Sequence, residues 1–182
     1  MGQMMEPVEL ETAEPQKYEK PWALTGTKMQ RKHNIVNSLY LKPEELEKKN
    51  FERFAKYKTI EENEVMYEEY LMDDAEICVV SFGITSRVAK NAIVEARAKG
   101  IKVGMIRPIT LWPFPTAVLN KAADKCKAFI SVEMNMGQMI EDVKLAIECK
   151  KDVHLCCRVG GMIPSPEEVL QKIEEVNKGG DK

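Results

Sequence analysis

Short apolar runs alternate with amphipathic segments through the second half of the chain, and this alternation constrains the fold most strongly. Each run has the length of a buried strand, and apolar residues at helical spacing follow it. The predicted strands are residues 76–82, 101–107, 128–133 and 153–158. Strands that alternate with helices in this order form a parallel sheet with helices on both faces. We therefore predict an α/β domain of three layers.

Proline and glycine mark the ends of these elements. Pro108 cannot donate to a sheet ladder, so the second strand is expected to end there. Gly100 ends the helix that precedes this strand. The expected helix starts are Thr85 or Ser86, Pro113 or Pro115, the turn at residues 135–137, and Ser165 with Pro166.

The first part of the chain has a different character. Residues 1–72 are predicted to form an arm with one or two helices, residues 73–178 the α/β domain, and residues 179–182 a frayed tail. One helix is expected from Pro43 to about Tyr57, and a capping box at Thr59 predicts a second over residues 61–72. Apolar residues in the irregular part of the arm predict that it lies on a surface. They are Trp22, Ile35, Val36, Leu39, Tyr40 and Leu41.

Composition excludes several classes of function. The net charge is −2, so no nucleic acid partner is expected, and the basic cluster at residues 28–33 is interpreted as a solvated loop. No apolar stretch is long enough for a bilayer and no signal peptide is evident, which predicts a cytoplasmic protein without membrane contact. The five cysteines form no C-x-x-C pair, so neither a zinc nor an iron–sulfur site is expected in this chain.

The common nucleotide and nucleophile motifs are also absent from the sequence. The first strand-to-helix turn has one glycine rather than G-x-G-x-x-G, and there is neither a P-loop nor a G-x-S-x-G elbow. His33 lies in the arm. His154 lies in a strand, where a packed or edge position is the favoured interpretation.

Ligands of parallel α/β sheets bind at the carboxyl ends of the strands, so the loops there hold the candidate residues. The candidates for ligand or interface contact are Gly83, Thr85, Arg107, Pro108, Trp112, Phe114, Glu133, Asn135, Gly137 and Gln138. Phosphate could bind at the turns of Gly83 and Gly137, although ordinary turns have the same appearance.

Glu133 is the most informative single candidate because it ends a strand at this edge. Its carboxylate could bind a ligand or accept from the amides of Asn135 and Gly137. It could equally pair with Arg107 or Arg158 from neighbouring strand ends, and the ion pair is the favoured interpretation.

The segment Arg107-Pro-Ile-Thr-Leu-Trp-Pro-Phe-Pro115 is stiff and apolar, and a loop of this kind is expected to pack against another surface. It resembles the alpha subunits of 2-oxoacid:ferredoxin oxidoreductases, in particular the branched-chain (2-oxoisovalerate) type. Residues 34–47, Asp73-Asp74-Ala75-Glu76 and residues 133–139 resemble further parts of that subunit. More distantly, the domain is similar to the C-terminal domain of transketolases.

The resemblance implies a mainly parallel five-stranded sheet with one antiparallel strand, which residues 65–71 would supply in place of the predicted helix. It implies a part in oxidative decarboxylation of a 2-oxoacid to acyl-CoA. In that family the intact complex uses thiamine diphosphate, Mg, iron–sulfur clusters and CoA, and ferredoxin accepts the electrons. The residues that bind cofactor and substrate lie mainly in the N-terminal domain and the partner subunit, so no catalytic or cofactor-binding residue is assigned here.

The expected partners are an N-terminal domain of the same subunit, the other subunits, and ferredoxin through the complex, and a homodimer with a second copy is left open. Residues 2–8 match residues 137–143 at five of seven positions and resemble the end of that N-terminal domain. The resemblance implies an architectural role and an isolated chain without activity. The alternative is a stand-alone regulatory or interaction domain that binds an anionic metabolite at the turns of Gly83 and Gly137.

Overall fold

The computed structural model describes residues 14–15 and 17–179, so the repeated motif at residues 2–8 and the end of the predicted tail lie outside the described residues. The chain divides into two compact units between Tyr57 and Lys58. The first unit is an irregular segment followed by most of helix α1, Pro43–Asn63. The predicted boundary between arm and domain at residues 72 and 73 stays a prediction.

Helix α1 is one continuous helix, so the prediction of two helices in this region is wrong. The amide of Glu64 donates to the carbonyl of Ile60 at 2.9 Å, which carries the helical pattern past the expected break. Neither glycine nor proline stands between Tyr57 and Asn63, and threonine alone costs a helix only about 0.7 kcal/mol. No residue of α1 is buried.

The second unit contains a five-stranded sheet. Its strands are β1 Tyr67–Tyr70, β2 Ile77–Ser81, β3 Val103–Pro108, β4 Ala128–Glu133 and β5 Asp152–Cys157, in the spatial order β1-β3-β2-β4-β5. Strand β1 is antiparallel to β3, and every other pair is parallel. This is the mainly parallel, five-stranded α/β sheet that the resemblance implied.

Four helices cover the two faces of the sheet. They are α2 Gly83–Ala98, α3 Thr116–Ala123, α4 Met139–Ala146 and α5 Pro166–Asn177. Helices α2 and α5 pack on the face that carries Val79, Met105 and Ile130, whereas α3 and α4 pack on the face of Val80 and Phe129. The three-layer prediction is confirmed, since strands β2, β3 and β4 bury side chains on both faces.

Strand β1 corrects the helix predicted over residues 61–72. Residues Tyr67 to Tyr70 alternate between exposed and half-buried positions, and they pair with Met105 to Pro108. The paired residues are 35 to 41 positions apart in sequence, so a local helix propensity over acidic residues gave the wrong result. The strand alternative that the resemblance implied is correct.

Gly104 shows why β3 needs a residue without a side chain at one position. A Cβ there would lie 2.5 Å from the carbonyl oxygen of Leu71 and 2.7 Å from Sδ of Met72. The connection from β1 to β2 therefore passes directly over β3. As predicted, β3 ends at Pro108, which is the last residue paired with β1.

The starts of α5 and α2 differ in whether a side chain caps the helix. Ser165 accepts from the amide of Glu168, whose side chain accepts from the amide of Ser165, so the predicted start of α5 is confirmed as a capping box. In contrast, α2 begins at Gly83 after Phe82 without a side-chain cap, and the expected capping by Thr85 or Ser86 is wrong. In the part of the chain that the structure describes, no helix has both the length and the apolar character needed to cross a membrane.

Candidate functional site

The carboxyl ends of β2 and β4 form the place where a ligand is expected in this topology. The chain proceeds from β2 to β3 on one side and then crosses to β4 on the other side of β2. Open α/β sheets bind ligands at such a switch point, in the crevice between the loops that follow the two strands. The loops in question begin at Phe82 and at Met134.

Glu133 ends β4 at this edge and is almost completely buried, with 1% of its surface exposed. Its Oε2 accepts from the amides of Gln138 at 2.9 Å and Met139 at 2.8 Å. Its Oε1 accepts from the amide of Ile140 at 2.9 Å and from the hydroxyl of Ser131 at 2.8 Å. The carboxylate therefore occupies the N-terminus of α4, where a helix leaves amide groups without partners.

The surroundings of Glu133 keep it ionised. Burial alone would raise the pKa of this carboxyl, but the amides at the start of α4 and the hydroxyl of Ser131 hold the pKa below its ordinary value. The helix dipole favours a negative charge at the same place. A buried carboxylate with four donors is a satisfied structural group, and it fills the position that an external anion would take at α4.

The favoured interpretation of Glu133 as an ion-pair partner is wrong. Arg107 pairs with Glu68 at 3.0 Å, and Arg158 pairs with Glu168. The capping alternative is correct in kind, although the amides belong to the first turn of α4 rather than to Asn135 and Gly137.

Asn135, Gly137 and Gln138 form the turn that brings α4 over Glu133. Oδ1 of Asn135 accepts from the amides of Gly137 at 2.8 Å and Gln138 at 3.0 Å. Gly137 has φ of +101°, and a Cβ there would lie 3.2 Å from Leu155 of β5. Glycine is required by both the backbone conformation and the close approach.

At the neighbouring loop, Gly83 and Thr85 hold the end of β2 together. The hydroxyl of Ser81 lies 2.8 Å from Oγ1 of Thr85, which in turn donates to the carbonyl of Phe82 at 2.7 Å. Ser81 also reaches the carbonyl of Val132 at 3.2 Å, so the small polar network spans β2 and β4. Thr85 is buried in this network, while Gly83 is exposed with φ of +59°.

Arg107 belongs to a half-buried cluster of charges that includes one acid and two bases. Glu68 of β1 accepts from Arg107 at 3.0 Å and from Lys90 of α2 at 2.7 Å. The hydrogen bond from Lys90, joined by that from Arg107, holds the pKa of Glu68 below its ordinary value. Nε of Arg107 is buried and has no hydrogen-bond partner among the described residues. Sequence reasoning missed Glu68 and Lys90 because β1 was predicted as a helix.

Pro108, Trp112 and Phe114 belong to the loop between β3 and α3. Pro108 is buried at the end of the strand, Phe114 is half-buried against the core, and Trp112 is 53% exposed. Thr110 fixes the loop, since Oγ1 accepts from the amide of Met66 at 3.0 Å and donates to the carbonyl of Pro113 at 2.8 Å. The proline-rich loop is therefore anchored through its polar groups and presents an aromatic side chain outwards.

A groove runs beside this loop. Its apolar lining comes from Val65, Tyr67, Trp112, Pro113 and Phe114, and Glu61 and Glu62 add negative charge. The same loop exposes two further apolar side chains, Ile109 and Leu111. An anchored apolar surface with an acidic margin is typical of a protein contact rather than of a site for an anionic ligand.

The cysteines and His154 do not converge on a site. Cys78, Cys126 and Cys156 are buried, and burial raises the pKa of Cys126 and of Cys156 to about 11. Within residues 14–15 and 17–179, no group of three or more potential metal ligands comes together. His154 is half-buried on β5, an edge strand, in agreement with its interpretation as an edge histidine.

The ten candidate residues thus fall into four groups. Glu133, Asn135, Gly137 and Gln138 form the capped start of α4, and Gly83 and Thr85 close the adjacent turn. Arg107 joins a charge cluster at the β1 side, and the remaining three belong to the proline-rich loop. None of the observed contacts assigns a catalytic role to them.

Comparison with known proteins gives three kinds of match. The family model of the pyruvate:ferredoxin oxidoreductase core domain II matches residues 75–169. The ketoisovalerate oxidoreductase subunit VorB of Methanothermobacter thermautotrophicus is 50% identical over 177 residues, which cover 97% of this chain and 50% of that subunit. The chain therefore spans about half the length of this curated relative.

Two solved structures share the fold. The 2-oxoglutarate:ferredoxin oxidoreductase from Magnetococcus marinus superimposes with a TM-score of 0.61 at 23% identity, over 75% of this chain and 24% of that one. A split-gene transketolase gives a TM-score of 0.53 at 16% identity, over 60% of this chain and 40% of that one. Because the family model covers more than half of its residues, the chain belongs to the pyruvate:ferredoxin oxidoreductase core domain II family.

Proposed function

We propose that this chain provides the core domain II of a 2-oxoacid:ferredoxin oxidoreductase of the ketoisovalerate type. The assembled enzyme oxidatively decarboxylates a branched-chain 2-oxoacid to its acyl-CoA and passes the electrons to ferredoxin. The observation that carries the proposal is 50% identity to a ketoisovalerate oxidoreductase subunit over 97% of the chain. The resemblance of residues 107–115 to the branched-chain type supports the same substrate class.

The role of the chain within that enzyme is architectural. Glu133 already fills the N-terminus of α4, so the turn most suited to an anionic group holds its own carboxylate. The anchored loop around Trp112 instead offers an apolar surface for a neighbouring domain or subunit. We infer that the chain positions the catalytic domains and does not take part in the chemistry.

The contacts at the start of α4 argue against the Gly137 turn as the site of a stand-alone domain that binds an anionic metabolite. Of the two turns proposed for that role, the one at Gly137 donates its amides to Asn135 and Glu133. At the other turn, the hydroxyls of Thr85 and Ser86 donate to backbone carbonyls rather than into open space.

The cofactors of the proposed enzyme are thiamine diphosphate with Mg, iron–sulfur clusters and CoA. The residues present here do not fit a metal cofactor, since no metal-ligand group forms among residues 14–15 and 17–179 and three of the five cysteines are buried. We propose that other domains and subunits of the enzyme bind these cofactors. We place the enzyme in the cytoplasm.

Substrate preference of the native complex tests the function. An affinity tag on this chain isolates the complex from the source organism, and reduction of ferredoxin is measured with CoA and one of three acids: 2-oxoisovalerate, 2-oxoglutarate or pyruvate. We expect the highest kcat/KM with 2-oxoisovalerate and no turnover by the chain alone. A tagged complex that reduces ferredoxin with none of the acids would refute the proposal, and a preference for another acid would refute the branched-chain type.

A paired substitution tests the architectural role. Trp112→Ala removes the exposed aromatic side chain of the proline-rich loop, while Leu145→Ala removes an exposed apolar side chain on α4 as a matched control. We expect Trp112→Ala to lower the yield of tagged complex while the KM for the 2-oxoacid in the complex that does assemble is unchanged. Normal assembly with an altered KM would contradict the architectural role and place this loop at the substrate.

A further inference from the structure

The two edges of the sheet differ in how they are protected. Strand β1 has four residues and carries Glu68 and Glu69, and short edges with charges resist pairing with another chain. Strand β5 has six residues, and Asp152 is its only charged residue. Only β4 pairs with β5 among the described residues, so its outer edge is open there.

The existing ladder fixes which backbone groups face outwards from β5. The amide of Arg158 donates to the carbonyl of Glu133 at 3.2 Å, so the backbone groups of this residue point towards β4. Since successive residues of a strand alternate in direction, His154 and Cys156 also point to β4. The amides and carbonyls of Val153, Leu155 and Cys157 therefore point away from the sheet.

These three residues define a self-complementary register. When two copies of β5 lie antiparallel with Leu155 opposite Leu155 of the second copy, Val153 lies opposite Cys157 in both directions. All three positions then become hydrogen-bonded pairs, in which opposite residues exchange two bonds. No outward backbone group of these residues is left without a partner.

The charged residues at the two ends of β5 favour the same register. With Leu155 at the centre, Asp152 lies opposite Arg158 of the second copy, and because both are even-numbered their side chains share one face of the sheet. Asp152 is exposed and takes part in no ion pair among residues 14–15 and 17–179, whereas Arg158 binds Glu168 and has further donors available. Moving the centre one residue towards the N-terminus would place Lys150 opposite Arg158, which is repulsive.

Apolar side chains follow β5 directly. Val159, Met162 and Ile163 are all exposed. In the register centred on Leu155, Val159 lies opposite Lys151 of the second copy, next to the start of its β5. We propose that β5 is a homodimer edge at which a second copy of this chain continues the sheet in the register centred on Leu155. This proposal does not depend on the enzymatic activity proposed above.

Proline at the central position tests the hydrogen bonding. Leu155→Pro removes an amide that points outwards but leaves the bonds to β4, because those come from the neighbouring residues. Leu155→Ala is the matched control, since it shortens the side chain and keeps the amide. Sedimentation of the full chain is followed at about 100 μM, where an interface with a micromolar dissociation constant is filled.

We expect the unaltered chain and Leu155→Ala to sediment as dimers, and Leu155→Pro to have a dissociation constant raised at least about tenfold with unchanged circular dichroism. A monomeric unaltered chain at this concentration would overturn the proposal. A Leu155→Pro protein that dimerises as tightly as Leu155→Ala would overturn it as well.

Charge exchange tests the register without touching the backbone. Asp152→Lys brings a lysine opposite Arg158 in both halves of the dimer, and we expect the dissociation constant to rise about fivefold or more. The double variant Asp152→Lys with Arg158→Glu restores opposite charges and is expected to recover most of the loss. Equal dissociation constants for the unaltered chain and the single variant would refute this register even if a dimer exists.

Discussion

The carboxylate of Glu133 allows the sharpest prediction of stability. Glu133→Gln keeps the shape of the side chain but replaces one oxygen by an NH2 group. The less costly orientation places the NH2 group where Oε1 of Glu133 lies, beside Ser131 and the amide of Ile140. The hydroxyl of Ser131 can rotate to accept from the NH2 group, but the amide of Ile140 is left without an acceptor. An orphaned buried amide costs about 1–3 kcal/mol and loss of a charge at a helix N-terminus up to about 2 kcal/mol. We expect the free energy of unfolding to fall by about 3 kcal/mol at neutral pH.

The difference between the two proteins should depend on pH. Because the folded state holds the pKa of Glu133 below its ordinary value, the stabilisation is complete above the pKa of the unfolded chain, about 4.3. This stabilisation is lost as the pH falls through the pKa of Glu133 in the folded state, because the carboxylate is then protonated in the folded protein too. The gap between Glu133→Gln and the unaltered protein should therefore be constant above about pH 6 and close under acidic conditions.

Urea unfolding followed by circular dichroism measures both effects, with Glu141→Gln as the control. The substitution Glu141→Gln is the same chemical change in the same helical turn. The side chain of Glu141, however, is exposed and pairs with Lys144 on the surface. Its substitution should change the unfolding free energy by less than about 0.5 kcal/mol. If Glu133→Gln and Glu141→Gln differ by no more than this amount at neutral pH, the assignment of Glu133 as a structural cap is refuted.

Three further outcomes are expected. Gly104→Ala should destabilise the fold by about 2 kcal/mol or more, because the added carbon meets backbone at 2.5 Å, and an unchanged thermal midpoint would contradict that close approach. Ser165→Ala should cost about 1 kcal/mol in urea unfolding through loss of the α5 capping box, whereas Ser165→Asp, which can also cap, should recover most of it. Cys149 is exposed and should react with a thiol reagent at pH 8 long before Cys78, whose pKa burial raises well above its ordinary value; equal rates would show that the core opens readily.

Most of the elements could be predicted because their signals are local. The span of β4 was predicted at its observed bounds, and Ser165 with Pro166 marked the start of α5, since capping and strand length are properties of a few adjacent residues. Strand β1 could not be predicted from local signals, because Tyr67 to Tyr70 become a strand only by pairing with β3. The same reason explains the missed charge cluster of Glu68 with Arg107.

Glu133 illustrates what local sequence signals can predict and what requires the tertiary structure. The sequence placed a carboxylate at the end of a strand followed by Asn135 and Gly137, and this was enough to identify the turn and its candidate residues. Whether that carboxylate meets an arginine, a ligand or backbone amides depends on distances between groups that no spacing rule gives. In the tertiary structure the carboxylate accepts from the amides of α4, because the turn at Gly137 brings the start of the helix back onto the end of the strand.

The sequence by itself therefore determined the order of the four parallel strands and the helices between them, the three-layer class and the resemblance carried by the proline-rich loop, since these follow from periodicity and from contiguous residues. Only the tertiary structure decided the strand order, the antiparallel β1, the partners of the charged side chains and the outward direction of the β5 backbone groups. Each of these depends on contacts between residues far apart in the chain, whose energies are set by burial and geometry rather than by local propensity.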